Sequence, residues 1–175
     1  MADGDDSFET FVRARWPSLV RSAYLLTLDQ GRAEDLVQVA LVKLWPHWER
    51  VKDENPGGYV RRILVTTAVS AGRRRWGREY PGRVEPTGSV EDASNNVADQ
   101  DLLRWALAML PIRQRVVIVL RYGEDLSERE VAGLMGCSAG SVKSQASRGL
   151  RRLREMPGLR FDGLIGESPR RNTDD

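Results

Sequence analysis

At 175 residues the chain has room for one ordinary domain or two small ones. Its single cysteine, Cys137, excludes an internal disulfide, and that cysteine with the single histidine, His47, cannot build a metal centre. The net charge of +2 conceals a pattern: residues 1–58 sum to −3, 59–79 to +5, 80–103 to −4 and 104–175 to +4. Two basic blocks parted by an acidic one imply two surfaces that meet a polyanion, because steering depends on where charge sits.

No stretch approaches the roughly 20 apolar residues of a membrane span. The acidic start, with Asp3, Asp5 and Asp6, is wrong for a secretion signal. A soluble, cytoplasmic protein with no membrane contact is the expectation.

Taken in chain order, apolar residues recur at helical spacing almost throughout, and strict alternation is missing, which predicts an all-α fold. Ser7 is placed to cap a first helix that buries Phe8, Phe11, Val12 and Trp16. Pro17 fits the first turn of a second helix, carrying Leu19, Val20, Ala23, Tyr24 and Leu26, better than the middle of one long helix. A third helix runs from about Arg32 to Trp48, with Leu36, Ala40, Leu44 and Trp48 each four residues apart and Pro46 shortening or kinking its last turn. Asn55-Pro56 reads as a cap and first-turn proline opening a helix through Tyr59, Ile63 and Thr67 towards Arg75.

Periodicity is then lost. The stretch YPGRVEPTGSVEDASNN, rich in Pro, Gly, Ser, Asn and acid, predicts a linker. Helices resume over Asp101–Leu110, and another from Pro111 to Tyr122 ends at Gly123. Beyond Met156 the composition turns to Gly, Pro and charge, and a frayed tail is expected.

Residues 126–154, LSEREVAGLMGCSAGSVKSQASRGLRRLR, carry the sharpest signal. Ser127 and Glu130 have capping-box spacing, with Leu126 and Val131 at the two positions of a hydrophobic staple. Val131, Ala132 and Met135 would face inward, Gly136 suits a tight turn, and Ser138 can cap a second helix. On that helix Val142, Ala146, Leu150 and Leu153 recur at core spacing. Its other face offers Ser141, Lys143, Ser144, Ser147, Arg148, Arg151 and Arg152. Small hydroxyls near a helix start can approach base edges, while cations further along meet phosphates. The pattern is that of a DNA-binding helix-turn-helix, weighed against a plain helical hairpin with a solvated basic face. Cys137 is most simply a packing residue.

The helix-turn-helix alone leaves the kind of DNA-binding protein open; the first 80 residues narrow it. AEDLVQVALVKLW (33–45) and GYVRRILVTTAVSAGRRRWGRE (58–79) resemble regions 2.1–2.4 of the extracytoplasmic-function group of sigma-70 factors. The stretch from Leu110 to Arg154 resembles their region 4. Order, acidic linker and length agree, and the SigE-like actinobacterial subfamily is the nearest form.

The resemblance implies region 2 over 7–79, a linker over 80–100, region 4 over 101–155 and a flexible tail over 156–175. It implies that Glu34, Asp35 and Gln38 grip the clamp helices of the polymerase's largest subunit; without it, a solvated helix face would be the plainer account. It implies that Tyr59–Arg78 opens and reads the −10 element. Arg61, Arg62, Arg73, Arg74 and Arg75 are then strand-contact candidates, and Trp76 either stacks on an unpaired base or packs in its own domain. Ser138, Ser141, Lys143, Ser144, Ser147, Arg148, Arg151 and Arg152 would read the −35 element.

Two departures from the family pattern bear on promoter choice: Thr66 stands where relatives commonly carry asparagine, and Ser141 and Gln145 replace a threonine and an arginine. The implied partners are core RNA polymerase, through its clamp helices and flap, promoter DNA, and an anti-sigma factor of the kind the family commonly has. No cofactor, metal, small-molecule substrate or catalysis by this chain alone is expected. The runner-up is a stand-alone regulator with a helix-turn-helix of LuxR type, though the first 80 residues offer neither strands nor a phosphoacceptor carboxylate. A helical adaptor with no DNA target is the third alternative.

Overall fold

The computed structural model describes residues 2–76 and 95–156, with side chains over 6–72 and 101–156. Most of the expected linker and the expected tail lie outside the described residues, which hold helices and no strand. The helices are α1 (Ala2–Thr27), α2 (Gln30–Leu44), α3 (Trp48–Val51), α4 (Pro56–Trp76), α5 (Asn95–Ala108), α6 (Ile112–Ile118), α7 (Glu128–Met135) and α8 (Ala139–Arg154).

In the first half, α1 departs from expectation: it is one continuous helix with Pro17 inside it. A proline there forfeits one helical hydrogen bond, but the turns on both sides of it are held by long-range packing. Before it, Phe8 and Phe11 stack against Trp48 at 5.1 and 5.2 Å, and Phe8 meets Trp45 at 4.8 Å. After it, Leu19, Ala23 and Leu26 are buried in the core with Ala33, Val37, Ala40 and Leu44 of α2. Ser7 is therefore no cap. Inside α1, its hydroxyl accepts a hydrogen bond from the Trp48 indole at 2.9 Å.

Asp29 caps α2, its carboxylate accepting from the Arg32 amide at 2.8 Å. The chain leaves α2 through a 3-10 turn, Trp45–His47, in which Pro46 sits, so the expected short end of this helix is present. Asn55 caps α4 by accepting from the Gly58 amide at 2.8 Å. Val60, Leu64, Val65 and Ala68 then carry α4 into the same core.

In the second half, α5 begins at Asn95, earlier than the expected Asp101. Leu107 and Leu110 are buried along with Val116, Val117 and Ile118 of α6. The last turn after α6 is a π turn, Val119–Gly123, in which the Glu124 amide donates to the Val119 carbonyl at 3.1 Å. The left-handed backbone after it falls at Asp125, φ 52°, with Gly123 ending the turn.

Ser127 and Glu130 form the complete capping box: Glu130 accepts from the Ser127 amide at 2.7 Å, and Ser127 Oγ accepts from the Glu130 amide at 3.2 Å. Gly136 makes the turn with φ 62°, a conformation glycine adopts without penalty. Val131 and Ala132 of α7 are buried, as are Val142, Ala146 and Leu153 of α8, while Met135 and Leu150 are half-buried. Gly149 lets α8 lie close on α6: a β-carbon there would stand 3.0 Å from Ile118.

Candidate nucleic-acid interface

The helix-turn-helix gives α8 one dry side and one wet one. Ser138 caps it, accepting from the Ser141 amide at 3.1 Å, and the two serine hydroxyls bond each other at 2.9 Å. Ser138, Ser141, Lys143, Ser144, Ser147, Arg148, Arg151 and Arg152 are all exposed, and Gln145 is half-buried. Ser141, Ser144, Arg148 and Arg151 recur at helical spacing on one face, hydroxyls towards the N-terminus and guanidinium groups towards the C-terminus. Set against a duplex, that order would bring short groups to a groove floor and long cations to its phosphate walls.

The Glu130 carboxyl is held below the usual glutamate range, chiefly by the hydrogen bond from the Ser127 side chain and then by that from its amide. The cap thus carries a carboxylate at neutral pH, and negative charge in the first turn of α7 also suits the helix dipole.

On α4 the expected contact residues diverge. Arg62 and Thr66 are exposed, and the Thr66 hydroxyl donates back to the Arg62 carbonyl at 2.8 Å. Arg61 is turned elsewhere: its Nε donates to Glu124 in the second half at 2.5 Å. The backbone of Arg73, Arg74, Arg75 and Trp76 continues α4, while their side chains lie outside the described residues.

Asp35 and Gln38 are exposed on α2, and Glu34, half-buried, accepts from the Gln30 amide group at 2.6 Å. Sequence periodicity missed their neighbours. Val39 and Val42 are 45% and 72% exposed. With Asp35 and Gln38 they make a mixed acidic and apolar face. The signal was present: AEDLVQVALVKLW is apolar on two faces, and Leu36, Ala40 and Leu44 account for one of them. Trp105, in the last turn of α5, and Met109, just beyond its end, are a second exposed apolar pair that periodicity did not single out.

Among the described residues no group of His, Cys, Asp and Glu could hold a metal ion, and no helix is long and apolar enough to cross a membrane. His47 lies against the Tyr59 ring at 5.6 Å, and Cys137 is half-buried against the core.

Comparison with known proteins identifies the family. Residues 11–78 match the sigma-70 region 2 family and residues 100–153 match sigma-70 region 4. The RNA polymerase sigma-E factor of Streptomyces avermitilis is 41% identical over 157 residues, covering 89% of this chain and 88% of that one. The ECF RNA polymerase sigma factor SigL of Mycobacterium tuberculosis is 32% identical over 142 residues, covering 78% and 80%. Among solved structures, the sigma factor RpoE in complex with the anti-sigma factor NepR from Bartonella quintana superposes with a TM-score of 0.65 at 28% identity. The match covers 85% of this chain and 94% of that one. The region 2 match occupies the place where a regulator of LuxR type would carry its sensing domain, so that alternative is not favoured. The chain belongs to the sigma-70 family of RNA polymerase sigma factors, with relatives in its extracytoplasmic-function group.

Proposed function

We propose that this chain binds core RNA polymerase and directs it to promoters through four surfaces on two domains, region 2 over 7–79 and region 4 over 101–155. The segment 80–100 serves as the connection and 156–175 as a tail. The observation that carries this reading is the exposed row of serines and arginines on α8 behind a fully capped helix-turn-helix. Ser138, Ser141, Lys143, Ser144, Ser147, Arg148, Arg151 and Arg152 read and grip the −35 duplex. Arg61, Arg62, Arg73, Arg74 and Arg75, with Trp76, contact the −10 strand as it opens.

Glu34, Asp35 and Gln38 hold the clamp helices, and the adjacent Val39 and Val42 supply apolar contact area beside the charges. Trp105 and Met109 offer the corresponding apolar patch to the polymerase flap. The chain contributes no catalytic group; it redirects an enzyme made by other subunits, and works where that enzyme is, in the cytoplasm. An anti-sigma factor, such as the one bound to the Bartonella relative, is a further partner of the same surfaces.

The α2 assignment is tested by Asp35→Arg. Asp35 is exposed, so reversal leaves helicity unchanged. Removing one partner of a charge pair that becomes buried on binding costs about 2–5 kcal/mol, so affinity for purified core polymerase should fall at least tenfold. Unchanged co-elution with core would remove Asp35 from the interface.

A further inference from the structure

The open side of α4 is a stripe. Arg62, Thr66 and Ser70 stand four residues apart and are all exposed, so they share one face of the helix. Arg73 holds the next position in that register. The core takes Val60, Leu64, Val65 and Ala68 from the other sides, and Arg61 is paired with Glu124. A strand running along the stripe meets a cation at Arg62, then two short side chains, then the arginines that end the helix.

Thr66 is the midpoint of the exposed stripe, and its hydroxyl is already committed. Oγ1 donates to the Arg62 carbonyl at 2.8 Å, with the Ile63 carbonyl at 3.2 Å as the second acceptor. A threonine hydroxyl carries one proton, and both acceptors belong to its own helix. Back-bonding of this kind is a habit of threonine inside helices. The oxygen is drawn in against the backbone, and the γ-methyl is the group left to meet a ligand. The residue is polar by type and apolar on the side it shows.

We infer that Thr66 selects thymine in the opened strand by contact between its γ-methyl and the methyl at C5 of the base. This deepens the assignment of α4 to the −10 strand and rests on it. Among the four bases only thymine carries that methyl, and a threonine methyl is an apolar partner for it. A free hydroxyl proton would instead serve thymine O4 and the guanine acceptors alike; here it serves none of them. The cations on either side hold the phosphates whatever the base. Choice therefore falls to the short side chains between them, of which Thr66 alone has a methyl.

The test uses holoenzyme assembled from purified core polymerase and the full chain, with core alone as the background. The probes are homopolymeric single strands of thymidine and of deoxyuridine, equal in length and differing only in the methyl. The thymine preference of wild type should exceed that of Thr66→Ser about fourfold, the worth of one buried methyl group. Contributions from the other bases of the strand are common to both proteins and cancel. Thr66→Val, which keeps a methyl and lacks the hydroxyl, should hold the wild-type preference.

Equal preference in wild type and Thr66→Ser, with Arg62→Ala still weakening both strands, overturns the methyl contact and leaves α4 on the strand. A preference lost in Thr66→Val as well makes the hydroxyl the reader and likewise overturns it. Binding that Arg62→Ala does not weaken takes α4 off the strand, and the selection by Thr66 falls with that assignment.

Discussion

Two helices of this molecule carry the arginines assigned to DNA, and they are held in opposite ways. The form of α8 is set within about thirty residues, by the Ser127–Glu130 box, the Gly136 turn and the Ser138 cap. The form of α4 depends on distant partners: α2 on one side, and on another Glu124, which is 63 residues away from Arg61. One helix displays its face to solvent, and the other commits part of its face to its own chain. Local construction suits a surface that must be ready before any partner arrives. Long-range construction makes a surface that depends on the packing of the whole chain.

The comparison predicts how the halves respond to damage, the largest effect coming from the core. Leu64 of α4 and Leu153 of α8 are each 1% exposed. Truncation of either to alanine should cost about 2–5 kcal/mol. The halves are tied by the Arg61–Glu124 pair, by Ile112 against Gly72 and by Arg115, which donates to the Leu26 carbonyl at 3.1 Å. Thermal unfolding should therefore remain a single transition lowered by both changes. Two separated transitions in either variant would show that the halves fold independently and would weaken the contrast.

The arginines should separate by step. Arg148→Ala is expected to weaken −35 duplex binding by the holoenzyme by about 1–3 kcal/mol while core binding is kept. Arg62→Ala, on the exposed side of α4, should leave duplex binding nearly intact and slow strand opening, which permanganate footprinting would detect. Equal loss at both steps in both variants would erase the assigned division of labour.

The caps sharpen the comparison at a smaller scale. Ser138→Ala and Asn55→Ala each remove one side-chain acceptor from a helix start and should each cost about 1 kcal/mol in chemical denaturation. Hydrogen exchange should place the first loss at the start of α8 and the second at the start of α4. The smallest effect concerns pH. The Glu130 carboxyl is depressed in the folded state, so its stabilisation is present above the unfolded value of about 4.3 and lost as pH falls through the lower folded one. The stability difference between wild type and Glu130→Ala should therefore be constant near neutrality and shrink below about pH 4.3. A difference that persists at lower pH would deny the carboxylate its part in the cap.

What was legible in the sequence follows the same division. The capping box, the turn at Gly136, the cap at Asn55 and the polar side of α8 depend on residues within a turn or two of one another. Spacing alone reveals such features. Pro17 misled because proline's local preference for a first turn is outweighed by Trp48 and α2, which lie far along the chain. The Ser7–Trp48 bond, the Arg61–Glu124 pair and the Arg115–Leu26 contact leave no periodic trace. Nor does residue type tell an arginine that meets DNA from one that meets its own glutamate. Val39 and Val42 were passed over for a related reason: an apolar residue on a helix reads as core until the core is seen to be filled by others.

The most direct test of the central claim is transcription in vitro with purified bacterial core polymerase on genomic fragments, with and without the full chain. The account predicts defined transcripts that appear only when the chain is present and disappear with Asp35→Arg. Failure to co-elute with core, together with no transcript from any fragment, would contradict it.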